Sequence, residues 1–399
     1  MLNVVDKDMA VSIIDGALRD WKGAEKLPLP ACLGRTAAED VYSPENLPSF
    51  DRSTVDGYAV KASDTFGCSE TIPAMLEYQG LIRMGEKVDE VLKKGNCMSI
   101  PTGGQLPEGA DASVMIEYSD DIGDNFRYIF RPVAPFENVN RKGDDCREGE
   151  LVLSAGTVIK PRNIAVLAAL GISEISVVKP IKVGIISTGD EIVSYTEKPT
   201  GSQIRDINSV TLASAVTELG AEALIYPVVP DEWDDLFRIL SEANEECDMI
   251  ILSGGSSVGE RDNVSRVLSK LGECMFHGVA LKPGKPTMFY MLDDVPVFGL
   301  PGHPAAAFFT FHMFVKPAIC RMIGREDRNR HVTATLAYKV PSNHGREEIM
   351  AVKLSEDEAE PLPAKSGVVS VLSEADGFIV VPRNQEGIQR GEKVEVNLF

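Results

Sequence analysis

Three short segments of this 399-residue chain combine residue types suited to binding anions and metal ions. They are Ser187-Thr188-Gly189-Asp190-Glu191, the run SGGSSVGERD from Ser253 to Asp262, and Lys282-Pro283-Gly284-Lys285-Pro286. A glycine- and serine-rich loop can bring several backbone N–H groups close to an anion, and a helix that follows adds the positive end of its dipole. Here Gly254, Gly255 and Gly259 free the backbone, and Ser253, Ser256 and Ser257 add hydroxyls. The loop carries neither the Gly-Lys-Ser/Thr of a Walker P-loop nor a G-x-G-x-x-G, so composition alone leaves an ordinary glycine turn and an anion cradle evenly matched. Lys282 and Lys285, separated by Pro-Gly, favour the cradle. Two ammonium groups on one rigid turn repel each other unless solvated or paired with an anion. Exposed lysines on a hairpin are the competing reading. Asp190, Glu191, Glu260 and Asp262 add carboxylates at the same place. Carboxylates beside a bound phosphate are unfavourable unless a divalent cation, usually Mg²⁺, bridges them. The alternative for Asp262 is to cap a helix that starts at Asn263.

A fourth segment, Phe298-Gly299-Leu300-Pro301-Gly302-His303-Pro304, joins a strand to a long helix. Its prolines and glycines fix a tight backbone, and Pro304 suits a first helical turn. His303 is placed to touch a ligand, although a lone histidine is more often structural.

The elements that position these segments follow from periodicity. IKVGIIS, EALIYPVV and DMIILSGG read as short buried strands. They alternate with helices over 208–219, from an N-cap at Asp231 to Glu246, and over Asn263–Leu271. MFHGVAL reads as a further strand before the two lysines. Alternating strands and helices imply βαβ units, a mostly parallel sheet and helices on both faces, and ligands in such folds bind beyond the carboxyl ends of the strands. The apolar run 305–323 contains His312, Lys316, Pro317 and Arg321 and reads as a buried helix, not a membrane span. Residues 5–20 read as an amphipathic helix and 161–170 as another, followed by Gly171. Residues 54–135 alternate in short segments broken by Gly and Pro, and HVTATLAYKV, EIMAVKL, GFIVVP and KVEVNLF give a terminal set of strands, a small barrel or sandwich.

The expected architecture is a multidomain α/β and β chain. A three-layer α/β domain spans 179–326, with an N-terminal linker module (1–44 with 140–178), a small β-rich module (45–139) and a C-terminal β-barrel-like domain (327–399).

Composition narrows the partners. With 60 acidic residues against 40 Lys+Arg, the net charge is −20. That argues against general nucleic-acid or anionic-membrane binding, which need a positive field. A local cation cluster can still hold a small anion, because the Debye length is only about 8 Å. The seven scattered cysteines contain no C-x-x-C pair, as expected of a reduced, cytoplasmic chain. The N-terminus lacks the basic and apolar regions of a signal peptide.

SFDRSTVDGYAV, IPTGGQLPEGAD, STGDEIV, SGGSSVGERD, ALKPGKPTMF and GLPGHPAAAFFTF occur in that order. Together they strongly resemble the molybdopterin molybdenumtransferases, the MoeA and gephyrin E-domain family. The resemblance implies conversion of adenylylated molybdopterin and molybdate into molybdenum cofactor and AMP. It also implies Mg²⁺ dependence and a homodimer in which the α/β domain of one subunit faces the small β module of the other. Transient contact with other molybdenum-cofactor enzymes is a further expectation. By match to the family's motifs, Asp56, Asp145, Glu191 and Asp262 are candidate catalytic residues, with Glu191 and Asp262 holding Mg²⁺. Thr102, Asp231, Pro301, Pro304, Arg346 and Ser366 match substrate-binding positions beside the glycine–serine loop, and Lys282 and Lys285 would bind molybdate or phosphate. This chain has His303 where the family commonly has Asn, and a thinner basic cluster, Asn140-Arg141-Lys142, before Gly143. The runner-up activities are the adenylyltransferase that makes the intermediate and a scaffold of the gephyrin type. Tungstate would be nearly isosteric with molybdate.

Overall fold

The computed structural model describes residues 4–254, 263–325, 331–362 and 368–399. A six-stranded sheet runs in the order Glu222–Ile225, Lys182–Thr188, Met249–Gly254, Val295–Leu300, Met288–Leu292 and Glu273–His277. The first four strands are mutually parallel. Met288–Leu292 runs antiparallel to both of its neighbours, so Glu273–His277 again points with the majority.

Alternating residues of these strands face opposite sides, and each side has its own core. Val183, Ile185, Ile251 and Phe298 join one core with Leu212 and Val216 of helix Asn208–Glu218. Ile186, Ile250, Leu252 and Val297 join the other with helices Trp233–Glu246 and Asn263–Leu271. This is the expected three-layer arrangement. The N-terminal helix Lys7–Ala17, shorter than its apolar periodicity predicted, buries Ala10 and Ile14 in the first of these cores. The apolar run near 305–323 is helical but interrupted: Pro304–Thr310 and Lys316–Met322 flank a π-helical turn, Phe311–Val315. Among the described residues no helix is long and apolar enough to cross a membrane.

Two expected strands are shorter than their apolar runs. EALIYPVV forms a strand only over Glu222–Ile225. MFHGVAL splits into Glu273–His277, in the α/β sheet, and Leu281–Lys282, which leaves it. The break falls at Gly278, whose φ of +111° turns the chain away.

The C-terminal strands His331–Leu336, Glu347–Ser355, Glu358–Pro361, Gly377–Val381 and Lys393–Leu398 close into a five-stranded barrel. Alternating inward residues such as Ala334, Leu336, Val352, Val394 and Val396 fill it. Residues Leu281–Lys282 pair in parallel with Glu347 and Glu348 on the barrel. The N-terminal β region carries a second six-stranded sheet, from Ala112–Met115 at one edge to Ser119–Asp120 at the other. Beside it, Ala24–Pro28 pairs with Glu174–Val178, and Val41–Tyr42 with Leu151–Leu153. All seven cysteines are free thiols.

Candidate active site

The majority strand direction brings the carboxyl ends of Lys182–Thr188, Met249–Gly254 and Val295–Leu300 to one edge of the sheet. Gly254 is required there. Its φ is +104°, and a Cβ at this position would lie 2.1 Å from the Thr188 carbonyl oxygen. The continuation of the loop, with Gly255, Ser256, Ser257, Gly259, Glu260 and Asp262, lies outside the described residues, as does Ser366.

Ser253 is buried at the strand end, and its Oγ accepts a hydrogen bond from Asn208 Nδ2 at 2.7 Å. The same amide donates to the Gly302 carbonyl at 2.8 Å. One NH₂ group therefore ties the end of one strand to the turn that follows its neighbour. Asp206 holds Asn208 in register by accepting the Ser209 N–H at 3.1 Å, which satisfies one of the first-turn donors of the helix. The Ser187 and Thr188 hydroxyls are each buried to 1% exposure, and neither has a hydrogen-bond partner among the described residues. Buried hydroxyls at the end of a central strand with no protein partner among the described residues offer a ligand two polar contacts.

Glu191 is exposed just beyond the first strand. The neighbouring Asp190 Oδ1 accepts the Asp231 N–H at 3.3 Å. Asp231 is not the N-cap expected from the sequence. The helix begins at Trp233, with Glu232 as its cap residue. Asp231 instead belongs to the preceding loop, where its carbonyl accepts from Asn263 Nδ2 at 2.6 Å. The apolar period starts at Trp233, and Asp190 draws Asp231 toward the sheet edge.

The lysine turn is fixed from the barrel side. The Glu347 N–H donates to the Ala280 carbonyl at 3.1 Å, and Lys282 lies opposite Glu348 in the ladder. This brings Arg346 to the turn. Lys282, Lys285, Pro301, His303 and Arg346 line one cavity of about 220 Å³. Pro304 opens the adjoining helix, with His303 as its cap residue. The two lysines are not the equivalent exposed pair of the competing sequence reading. Lys285 is exposed, whereas Lys282 Nζ donates to Glu348 Oε1 at 2.6 Å, and Glu348 Oε2 also accepts from Ser342 Oγ at 3.0 Å.

A second cluster forms on the N-terminal β region. Asp56 Oδ1 accepts the Thr102 N–H at 2.8 Å. Asp145 approaches Arg52, with Oδ2 3.9 Å from its guanidinium. Arg52 pairs with Asn140 in a short ladder, which places Asn140 and the segment after it beside Arg52–Ser53, just ahead of the bend that carries Asp56. Gly57 permits the turn, since a Cβ there would meet the Val114 carbonyl oxygen at 1.9 Å. Arg141 turns back onto its own loop, stacking 5.0 Å from the Phe136 ring. Among the described residues no hydrogen bond or ion pair joins this cluster to the sheet-edge cluster.

Sequence reasoning missed Asn208, Arg52, Ser342 and Glu348. Asn208 read only as a helix start, which it is; its side-chain bonds to Ser253 and Gly302 had no signal in the sequence. Glu348 had one signal, a carboxylate at an inward position of an alternating strand.

Three family models match in order: "MoeA N-terminal region (domain I and II)" over residues 5–171, "Probable molybdopterin binding domain" over 184–321, and "MoeA C-terminal region (domain IV)" over 333–399. A molybdopterin molybdenumtransferase of Bacillus subtilis is 32% identical over 385 residues, covering 94% of this chain and 90% of that protein. One from Haemophilus influenzae is 32% identical over 383 residues, covering 94% of each. The crystal structure of a molybdopterin biosynthesis moeA protein from Pyrococcus horikoshii matches with a TM-score of 0.89 and 32% identity over 100% of both chains.

Proposed function

We propose that this chain, which belongs to the MoeA family of molybdopterin molybdenumtransferases, transfers molybdate to adenylylated molybdopterin and releases AMP. It is a transferase of molybdenum-cofactor biosynthesis. The observation that carries the finer reading is the cavity of about 220 Å³ where Lys282, Lys285 and Arg346 converge. Molybdate is a dianion and the nucleotide-capped pterin carries a pyrophosphate. Bringing both together costs electrostatic work unless fixed cations and N–H donors stand ready, and preorganised donors of that kind are commonly the largest contribution to catalysis.

In this reading Lys285 and Arg346 hold the oxyanion, and Pro301 and Pro304 shape the wall. The pterin phosphate side lies against Ser253, Gly254 and the loop that follows, with the Ser187 and Thr188 hydroxyls beneath. Mg²⁺ takes one or two carboxylates together with phosphate oxygens. Exposed Glu191 beyond the strand end fits that demand, with Asp262 as the second ligand. When bound, the ion would neutralise pyrophosphate charge. Asp56, Thr102 and Asp145 form the complementary wall, contributed by the second subunit of a homodimer. The reaction takes place in the cytoplasm, where reduced thiols persist.

The test is molybdate-dependent AMP release from adenylylated molybdopterin. Lys285→Ala and Asp262→Ala are each expected to lose more than about 100-fold, the scale of a lost transition-state contact. Near-normal rates in both variants would overturn the site assignment. Accumulation of adenylylated pterin from molybdopterin and ATP without molybdate would favour the adenylyltransferase instead.

A further inference from the structure

Lys282 stands in a wall shared by two cavities. On one side is the cationic cavity of about 220 Å³, with Lys285 and Arg346. On the other is a larger one of about 470 Å³, lined by Ala305, Phe309, Ile349 and Val371, in which Glu348 is the acidic residue. The Lys282 ammonium is turned toward the second side, against Glu348 at 2.6 Å. Glu348 is well anchored: its side chain is 12% exposed, and Ser342 supplies a second hydrogen bond. Lys285 and Arg346 make no ion pair among the described residues. One of the three cations around the oxyanion cavity is thus already neutralised by a carboxylate that the barrel provides.

We propose that Glu348 is a positioning residue that sets oxyanion affinity by competing for Lys282. This rests on the reading of the cavity given above. An oxyanion entering beside Lys285 and Arg346 draws the Lys282 ammonium from the Glu348 carboxylate, so binding is weaker than three free cations would give. When the oxyanion leaves in the product, Lys282 returns to Glu348, and that return favours release. Binding that is equally tight in ground and transition states gains nothing in turnover, so a built-in competitor is consistent with catalysis.

The experiment measures molybdate alone binding to the full chain by calorimetry. Glu348→Gln preserves shape and the Ser342 contact but removes the charge. Its Kd is expected to fall about tenfold, equivalent to about 1.4 kcal/mol, with kcat for AMP release reduced as release slows. Glu348→Asp, whose carboxylate sits one methylene farther from the ammonium, is expected to tighten binding two- to threefold. If Glu348 only anchors the barrel strand, both substitutions loosen the turn and weaken binding. Unchanged or weaker binding in both variants overturns the proposal. Wild-type protein is assayed in parallel for molybdate-dependent AMP release. Its absence would refute the functional reading, whereas release by wild type without tighter binding in the variants would refute the role of Glu348 alone.

Discussion

Asn208 gives the sharpest check on how the sheet edge is assembled. Its Nδ2 donates to Ser253 Oγ at 2.7 Å and to the Gly302 carbonyl at 2.8 Å, and the residue is 8% exposed. Asn208→Ala removes both donors. Ser253 can rotate its hydroxyl, and Gly302 is exposed and can take water. The loss is therefore that of one to two ordinary hydrogen bonds, about 1–2 kcal/mol. Asn208→Asp is nearly isosteric yet worse, because a carboxylate oxygen then faces the Gly302 carbonyl. The hydroxyl can turn to donate, but the carbonyl cannot. Repulsion and a buried unpaired charge together cost about 3–5 kcal/mol. The charge also makes the effect depend on pH. A buried, unpaired aspartate has its folded-state pKa raised above the unfolded value. The deficit relative to wild type should be smallest below the unfolded aspartate pKa, where the neutral acid can donate to Gly302. It should grow as pH rises through the folded value. Urea unfolding of the three proteins across pH 4–8 gives the comparison. An aspartate variant as stable as the alanine variant at pH 8 would refute the clamp, and so would a deficit that shrinks as pH rises.

Gly57→Ala forces a Cβ to 1.9 Å from the Val114 carbonyl. The Asp56 turn must shift, so AMP release should fall at least tenfold while the distant barrel keeps its amide-exchange protection. Normal activity would mean that the turn tolerates the shift. His312 lies in the π-helical turn among the rings of Phe308, Phe311 and Phe399, with no hydrogen-bond partner for either nitrogen among the described residues. Burial, helped by the charge of Lys316, lowers its pKa from 6.5 to about 3. Below pH 6.5 the unfolded chain takes up a proton that the folded one refuses, so this histidine's contribution to stability declines as pH falls toward 3. His312→Phe should remove that decline. At pH 5 the variant should gain about 2 kcal/mol over wild type, relative to their difference at pH 7.5, at about 1.4 kcal/mol per pH unit. Parallel urea midpoints at the two pH values would rule this out.

The α/β layer was legible in the sequence because buried parallel strands and amphipathic helices leave strong local periodicities. IKVGIIS and DMIILSGG coincide with central strands. The motifs also located the sheet edge, since loops after parallel strands are ordered by topology alone. Long-range pairing escaped the reading. The split of MFHGVAL depends on Leu281–Lys282 finding Glu347–Glu348 on the barrel, a contact with no local signature. The same contact explains why the two lysines, alike in sequence, differ in structure. Asp231 was misplaced because an acid before an apolar helix looks like a cap, whereas a loop contact with Asp190 decides its position. The helix start at Asn208 was legible, but its clamp was not, because both of its acceptors come from distant segments.

The pairing of Leu281–Lys282 with the barrel strand has a mechanical corollary. The cations of the oxyanion cavity take their spacing from a seam at which Ile349, Ala351 and Phe378 of the barrel share one hydrophobic core with Phe298 and Phe309 of the α/β domain. The Lys285–Arg346 gap is therefore held by apolar packing that crosses the seam, and it cannot change without disturbing that packing. Substitutions of the buried residues along the seam should therefore erode oxyanion binding and folding stability together.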